Sequence, residues 1–244
     1  MEWRQYAYDL HIHSCLSPCG HRDMTPNNII NMSLLKGLDI ISVTDHNSAK
    51  NLPAIFEAAK GHDILIVPGI EVNTKEEVHL LCYFTSLEKT MIFDAFIEDY
   101  LPCIKNNREI FGEQLILNER DEVVGEYENL LLNALQLSIE EINQRVQDLE
   151  GIVVPAHIDR SSYSIISNLG FISTHLSIKV LELSMQTKGP KGRYWEETYK
   201  NFTLIRSSDA HSLEQILERE SYVRLKEVNI DDLFLHFRKS LKVK

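Results

Sequence analysis

Short apolar runs alternate with amphipathic stretches through the first third of the chain. The apolar runs have the length and composition of buried strands, and the stretches between them have helical periodicity. Strands are predicted at residues 6–13, 39–44, 64–67 and 79–84, with helices at 26–36 and 52–60. This alternation predicts βαβ units and a parallel sheet, and thus an α/β fold.

The alternation breaks between about residues 90 and 150, where an insertion is predicted. An amphipathic helix is expected at 93–111, followed by a hairpin whose strands are 115–118 and 123–127. Ser138 and Glu141 then have the spacing of a capping box, so a helix is expected at 138–149. The remaining elements are strands at 152–156, 179–183, 204–207 and 222–225, and helices at 163–169, 195–199 and 231–239.

Length and charge limit the kinds of protein this can be. The chain has 244 residues, which fits one domain over 1–244, and 36 acidic against 25 basic residues give a net charge of −11. No long basic run is present, so an extended nucleic-acid partner or an anionic membrane surface is not expected. A small phosphorylated molecule remains compatible, because bound cations add local positive charge. The oligomeric state is not predicted.

Cysteine spacing and hydropathy bear on the compartment. The four cysteines form no C-x-x-C pair, and no apolar signal core precedes the first strand, which favours a reduced cytoplasmic setting. The apolar runs are too short to cross a bilayer, so no transmembrane segment is predicted.

Two pairs of candidate metal ligands have the same i, i+2 spacing. His11 and His13 lie at the end of a predicted strand, where residues two apart face the same side and can reach one ion. Asp209 and His211 repeat the spacing after the strand at 204–207. Either pair alone is weak evidence for a metal site, because polar side chains on strands often make hydrogen bonds instead. Both pairs together favour metal binding.

Three further residues can connect these pairs into one site. Glu71 follows a buried-looking strand, where an unpaired carboxylate is costly, and a carboxylate can bridge two cations. The alternative for Glu71 is a helix cap or a salt bridge. His79 and His157 each border a strand and can complete a second ion, or each can be a core histidine held by hydrogen bonds.

Asp45 and His46 end the strand at 39–44 and should point to opposite faces. His46 is therefore predicted to be a ligand, and Asp45 to orient a histidine or take up a proton; the alternative for Asp45 is a turn cap with Asn47. The other three histidines are expected to be structural or exposed: His62, His175 and His236.

As an ordered set these motifs resemble those of the polymerase-and-histidinol-phosphatase, or PHP, family of metal-dependent phosphoesterases. The motifs are Asp9-Leu10-His11-Ile12-His13-Ser14, Thr44-Asp45-His46, Gly69-Ile70-Glu71, Val78-His79-Leu80-Leu81, Pro155-Ala156-His157 and Ser208-Asp209-Ala210-His211. The resemblance implies a distorted (β/α)7 TIM-like barrel with the helix-plus-hairpin insertion added. It also implies a site for two to three divalent ions (Zn, Mn or Fe) at the carboxyl ends of the strands.

The resemblance also implies which residues hold each ion. The first ion would take His11, His13, Glu71 and Asp209, and Glu71 would bridge to a second ion held by His79 and His157. A third would take His46, His211 and one residue from the loop after His13. Many family members have Asp-Gly in that loop, and His21 occupies the Asp position here, with Cys19 and Asp23 as competing ligands.

The implied activity is hydrolysis of a phosphate monoester, such as a histidinol-phosphate-like compound or a nucleotide, by metal-activated water. Asp209 is expected to assist the nucleophile, and a metal-held water, His46 or His211 to protonate the leaving group; Asp45 completes the candidate catalytic set. Arg160 is a candidate phosphate clamp, although a surface arginine would look the same. Lys188, Lys191 and Arg193 suggest either a mobile substrate loop or solvated charge. The alternatives are a nuclease or exonuclease, and a non-catalytic metal-binding accessory protein.

Overall fold

A computed structural model describes residues 2–239 of the chain. The strands in this range are β1 (Arg4–Ile12), β2 (Ile40–Val43), β3 (Leu65–Ile66), β4 (Gly69–Asn73), β5 (His79–Tyr83), β6 (Leu115–Leu117), β7 (Val123–Glu126), β8 (Ile152–Pro155), β9 (Val180–Ser184), β10 (Thr203–Ser207) and β11 (Tyr222–Leu225). The helices are α1 (Pro26–Leu35), α2 (Leu52–Ala58), α3 (Leu87–Glu98), α4 (Arg108–Phe111), α5 (Ile139–Asp148), α6 (Ile165–Leu169), α7 (Gly189–Thr198) and α8 (Ile230–Arg238).

The predicted parallel pairing is present at both ends of the chain. Strand β1 pairs parallel with β2, β2 pairs parallel with β3, and β9 pairs parallel with β10. Helices α1 and α2 form the connections between the first three strands, and Thr25 caps α1 as its side chain accepts the N–H of Asn28. Strand β11 adds an antiparallel edge beside β1. The α/β class is thus confirmed.

The three-stranded sheet of β4, β5 and β8 contradicts the expectation of uniformly parallel strands. Strands β4 and β5 are antiparallel neighbours, and β5 is also antiparallel to β8. The connection 74–78 between β4 and β5 is a turn, and parallel neighbours require a crossover of a dozen or more residues. Strand β4 itself, which carries Glu71, was not predicted as a strand.

The strand pairing in residues 2–239 forms sheets of four, three, two and two strands without a closed barrel. Two isolated bridges join the larger pieces, Ile12 with Ala210 and His46 with Glu71. Barrel closure stays a prediction. Both bridges lie where candidate site residues occur.

Two helical predictions also require correction. The helix expected at 93–111 is two helices, α3 capped by Ser86 and the short α4 capped by Asn107, with Pro102 in the irregular segment between them. The helix expected at 195–199 begins earlier, as α7, so the basic segment, for which a mobile substrate loop and solvated charge were the alternatives, has Lys188 at the N-cap of this helix and Pro190 in its first turn. Lys188, Lys191 and Arg193 are exposed, in agreement with solvated charge.

The core has two main layers around the strands. The larger layer packs helices against one face of the strands, with Ile29, Ile55 and Phe93 fully buried. The second lies on the opposite strand face, where Leu10 and Tyr83 are fully buried and the Tyr83 hydroxyl donates to the Leu10 carbonyl at 2.7 Å. No helix in the described range is long and apolar enough to cross a membrane.

Asn51 fixes the predicted hairpin, β6 and β7, beside the loop that follows β1. Its side chain donates to Ser14 Oγ and the Leu115 carbonyl, at 3.0 and 3.1 Å, and accepts the Leu117 N–H at 2.9 Å. The residue is fully buried, so these backbone groups have no solvent to replace the amide. The insertion is therefore attached to the loop after His13.

We expect Asn51→Ala to lower the free energy of unfolding by about 2–4 kcal/mol, because it leaves two buried backbone groups unpaired. Urea denaturation measures the loss. The matched control is Asn28→Ala, an exposed asparagine that we expect to change stability by less than about 0.5 kcal/mol. Equal losses in the two variants would contradict the proposed role of Asn51.

Candidate metal centre

Glu71 lies at the centre of a cluster of histidines. Its side chain is 1 % exposed, and neither carboxylate oxygen makes a hydrogen bond. Five imidazole nitrogens lie 3.0–3.4 Å from its oxygens, from His11, His13, His46, His79 and His157. The sequence motifs thus converge on one carboxylate.

The two i, i+2 pairs meet beside Glu71. His11 Nε2 and His13 Nε2 are 3.3 and 3.1 Å from Asp209 Oδ1, and the two imidazole nitrogens are 3.2 Å apart. His211 Nδ1 lies 2.8 Å from the Asp209 carbonyl oxygen, which leaves its Nε2 free to face a ligand. The predicted clustering of these motifs is therefore seen in the fold.

Unusual backbone conformations aim two of the site residues. His157 and Asp209 follow strands β8 and β10 with φ angles of 29° and 53°, in the left-handed region that non-glycine residues rarely adopt. Such conformations cost of order 1–3 kcal/mol and persist where surrounding structure imposes them. Here they direct both side chains toward Glu71.

The arrangement fits divalent cations. A buried carboxylate without hydrogen-bond donors is costly, and imidazole nitrogens 3.2 Å apart repel each other unless a proton or a cation lies between them. In the described residues, three groups have ligand atoms close enough to share an ion: His11, His13, Glu71 and Asp209; His46, Glu71 and His79; and His13, His46 and His211. Imidazole and carboxylate ligands suit zinc, manganese or iron.

These groups can be compared with the predicted ligand sets. The four residues predicted for the first ion form one group. In the second, His46 joins Glu71 and His79, while His157 Nε2 lies 3.4 Å from Glu71. The structure does not bring His21 into any of these groups, because its side chain is 63 % exposed and faces Asp23 at 3.5 Å. The ligand roles themselves stay predictions.

Asp45 acts on the histidines through serine. Its carboxylate accepts the Ser14 N–H at 2.7 Å and both the Ser14 and Ser17 hydroxyls, at 2.6 and 2.7 Å. Ser17 Oγ also lies 3.0 Å from His13 Nδ1 and accepts the His46 N–H at 3.1 Å. Asp45 is thus placed to orient His13 through Ser17.

Glu182 is a site residue that the sequence did not reveal. It lies on β9 with 2 % exposure, contacts His11 Nδ1 with both carboxylate oxygens at 3.1 and 3.2 Å, and accepts the His157 N–H at 3.0 Å. The available signal was a single carboxylate inside the apolar strand Val180–Ser184. Its contacts fix the orientation of one candidate ligand and the backbone of another.

The remaining histidines lie apart from these groups. His62 is exposed in a bend, His175 is exposed in a 3-10 helix (Thr174–Leu176), and His236 is half-buried in α8. Burial beside Lys239 lowers the pKa of His236. Their placement agrees with the structural or surface role expected for them.

A cavity of about 110 Å³ opens beside the cluster. Arg160 and Tyr163 line it together with His79, His157 and Asp209. Arg160 is 37 % exposed, and its Nη1 is 2.6 Å from Asp209 Oδ2. The Tyr163 ring stacks on His79 with centroids 4.6 Å apart. The cavity therefore has cationic and aromatic groups at its edge.

Burial and the carboxylates divide the histidines by protonation. Burial lowers the pKa of His79 and of His211 to about 4, so both are neutral at pH 7. Burial acts in the same direction on His13 and His46, but Asp209 and Glu71 outweigh it at His13 and Glu71 does so at His46, which raises both pKa values to about 9. Burial opposes ionisation of Glu71 and Asp209, yet neighbouring histidines hold both pKa values well below the usual range.

The chain is similar to known proteins in its sequence profile and in its fold. The sequence profile of the PHP domain matches residues 9–160. No curated protein matches the chain. The lesion-specific endonuclease PfuEndoQ from Pyrococcus furiosus shares 21 % identity at a TM-score of 0.69, over 96 % of this chain and 56 % of its own.

Two further solved structures have similar folds. An endonuclease Q complex with a 27-mer duplex that carries an abasic lesion at the active site has 22 % identity and a TM-score of 0.65, over 95 % of this chain and 56 % of its own. A candidate metal-dependent phosphoesterase from Bifidobacterium adolescentis has 16 % identity and a TM-score of 0.62, over 98 % of this chain and 99 % of its own. The chain thus spans 56 % of each endonuclease chain and nearly all of the third protein.

We expect Glu182→Gln to weaken divalent-metal affinity about 10- to 100-fold, because the neutral amide no longer supports the His11 imidazole electrostatically. Competition with a chromophoric chelator measures the affinity. Glu196→Gln, a substitution in α7, is the control and should leave affinity unchanged. Unchanged affinity in Glu182→Gln would contradict the role assigned to this carboxylate.

We expect metal affinity to rise between pH 7 and pH 9. His13 and His46, with pKa values of about 9, carry protons at pH 7 that an ion must displace, whereas His79 and His211, with pKa values of about 4, do not. The pKa of His11 is also raised, so calorimetry at pH 7 in two buffers of different ionisation enthalpy should show release of two or more protons. An affinity independent of pH over this range would contradict the assignment.

Proposed function

We propose that the chain, which belongs to the PHP domain family, is a metal-dependent hydrolase that cleaves a phosphate ester in a small molecule. The observation that carries the proposal is the buried, hydrogen-bond-free carboxylate of Glu71 among five histidines, beside a cavity with Arg160 at its edge. Cations and an arginine together suit a phosphoryl group, whose oxygens carry negative charge.

Two or three divalent ions would be held by the histidines, Glu71 and Asp209. When bound, they supply positive charge for the phosphoryl oxygens and lower the pKa of coordinated water to about 7. Zinc, manganese and iron are the candidates. The strands that carry these residues would form the distorted seven-stranded barrel, a proposal supported by the bridges Ile12–Ala210 and His46–Glu71.

Arg160 and Asp209 are placed to handle the substrate and a proton. Arg160 is 37 % exposed and Asp209 is 10 % exposed, and both side chains line the cavity. Arg160 can therefore exchange its contact with Asp209 for a contact with a phosphate oxygen that enters the cavity. Asp209, then released from Arg160, can accept a proton from the attacking water. His46 and His211 both line the cavity and are the side chains available to protonate the leaving group.

The net charge favours a small substrate over a long polyanion, and the cavity has room for a phosphoryl group. The volume of about 110 Å³ is below the roughly 300 Å³ at which pockets for drug-sized ligands begin, so it fits a phosphoryl group with the rest of the molecule outside. The net charge of −11 opposes a long polyanion. We further propose that Asp45 contributes by holding Ser17 against His13.

A nuclease is the second candidate. The two endonuclease structures align with 95 % and 96 % of this chain, which supports testing nucleic acid as a substrate. A metal-dependent site that hydrolyses monoesters can also hydrolyse diesters if the attacking water and leaving group fit. The test must therefore include both.

The test is phosphate release from a panel of phosphorylated metabolites and nucleotides, with labelled single-stranded and duplex DNA, including an abasic site, as parallel substrates. Protein loaded with Zn, Mn or Fe(II) should hydrolyse a monoester and leave DNA intact. Cleavage of DNA without monoester turnover would favour the nuclease. Stoichiometric metal with no turnover of any substrate would favour a non-catalytic protein.

Substitution of Arg160 tests its role in substrate binding separately from metal binding. We expect Arg160→Ala to lower kcat/KM about 10- to 100-fold, the loss of one or two hydrogen bonds to a charged group, with metal content unchanged. Arg120→Ala is the control, because Arg120 is 75 % exposed on the hairpin. Full activity in Arg160→Ala would remove Arg160 from the proposed substrate site.

A further inference from the structure

Asp9 is a fully buried carboxylate of the first motif, and the proposed function leaves it without a role. It lies on β1, two residues before His11. A carboxylate removed from water is costly unless hydrogen-bond donors or cations surround it. In the described residues, Asp9 belongs to none of the three groups that can share an ion. Its partners are instead backbone N–H groups, which come from one segment of the chain.

Both oxygens of Asp9 bind the segment that follows β10. Oδ1 accepts the Ser208 N–H at 2.9 Å, and Oδ2 accepts the Leu217 N–H at 3.0 Å. Between these two donors lies a loop, the 208–217 loop, that carries two of the candidate metal ligands. One carboxylate thus joins the two ends of the loop and attaches both of them to β1.

The first of these candidate ligands, Asp209, lies between two residues whose backbone is fixed on β1. The Ser208 hydroxyl donates to the His11 carbonyl at 3.1 Å, and the Ala210 carbonyl accepts the His13 N–H at 2.8 Å. Asp209 itself has a φ angle of 53°, a conformation that persists where surrounding structure imposes it. The direction of its carboxylate therefore depends on how firmly the near end of the loop is held.

The far end of the loop positions the second candidate ligand, His211. The His211 N–H donates to Oε1 of Gln215 at 2.8 Å, two residues before Leu217. Leu217 is buried, so its N–H has no solvent to replace Asp9 as an acceptor. Lys36 Nζ also donates to the carbonyl of the residue before Gln215, at 2.9 Å. Loss of the Asp9 contacts should therefore loosen the loop without detaching it.

We propose that Asp9 is a positioning residue for the metal centre, a role that rests on the metal-dependent function proposed above. By holding both ends of the 208–217 loop, it directs Asp209 and His211 toward Glu71. A carboxylate suits this role because it accepts hydrogen bonds at both oxygens, whereas an amide accepts at one atom and donates at the other.

Hydrogen exchange in the metal-free protein tests the first step, from Asp9 to the loop. Asp9→Asn turns an NH2 group toward one of the two N–H donors, so amide exchange in the 208–217 loop should accelerate by about 10-fold or more. Asp121→Asn is the matched control, because Asp121 also binds one segment with both oxygens, through the Thr25 hydroxyl and the Asn27 N–H. It should leave exchange in the loop unchanged.

A double-mutant cycle tests the second step, from the loop to the metal. Asp9→Asn should lower divalent-metal affinity about 10- to 100-fold, measured by competition with a chromophoric chelator, and Asp121→Asn should not. In a background that carries Asp209→Asn and His211→Ala, Asp9→Asn should change the affinity less than about 3-fold, because its effect passes through these two residues. A purely structural role would lower affinity equally in both backgrounds.

Asp9→Ser, which removes both contacts with a smaller side chain, is a second variant and should show the same changes in exchange and affinity. Unchanged loop exchange or unchanged metal affinity in the Asp9 variants would overturn the positioning role, and the proposed function would stand if the unsubstituted protein still hydrolyses a phosphate ester. The expected cycle without hydrolysis of any phosphate ester would support the role of Asp9 and contradict the proposed function. A protein that binds no metal would contradict both.

Discussion

The burial of the Glu71 carboxylate is the constraint on which the rest of the structure depends. At 1 % exposure and without a hydrogen bond, this negative charge needs positive charge close by. The histidines around it hold its pKa well below the usual range even though burial acts in the opposite direction. In turn, Glu71 helps to keep His13 and His46 protonated at pH 7 when no metal is bound. Protons in the free protein thus occupy the place of cations.

The backbone fixes Glu71 as firmly as its charge does. Its N–H donates to the Asp45 carbonyl at 3.2 Å, and its own carbonyl accepts the Asn47 N–H at 2.9 Å. The same two hydrogen bonds attach β4 to the segment that carries His46. Because Asp45 also holds Ser14 and Ser17, one residue links the loop after β1, the end of β2 and the central carboxylate. A change in any of these segments is transmitted to Glu71.

The clustering of the histidines could be predicted because each borders an apolar run whose strand character is evident. His11 and His13 share a face by strand periodicity alone. Glu182 could not be predicted in this way, since a lone carboxylate in a strand gives no indication of its partner, and His11 is 171 residues away. The antiparallel pairing of β4 with β5 was missed because the apolar runs carry no direction. His21 was favoured by counting along the chain, which cannot give the direction of a side chain, and in the structure its imidazole is 63 % exposed and lies 3.5 Å from Asp23.

The insertion between β5 and β8 packs against the loop that follows β1, beside the histidine cluster. The Leu115 N–H donates to the Cys15 carbonyl at 2.9 Å, and Gly112 lies so close to the Pro18 carbonyl that a Cβ there would be 2.2 Å from its oxygen. The insertion therefore supports the turn at residues 17–20, which follows β1. Sequence changes in the insertion can shift that turn while every histidine stays in place.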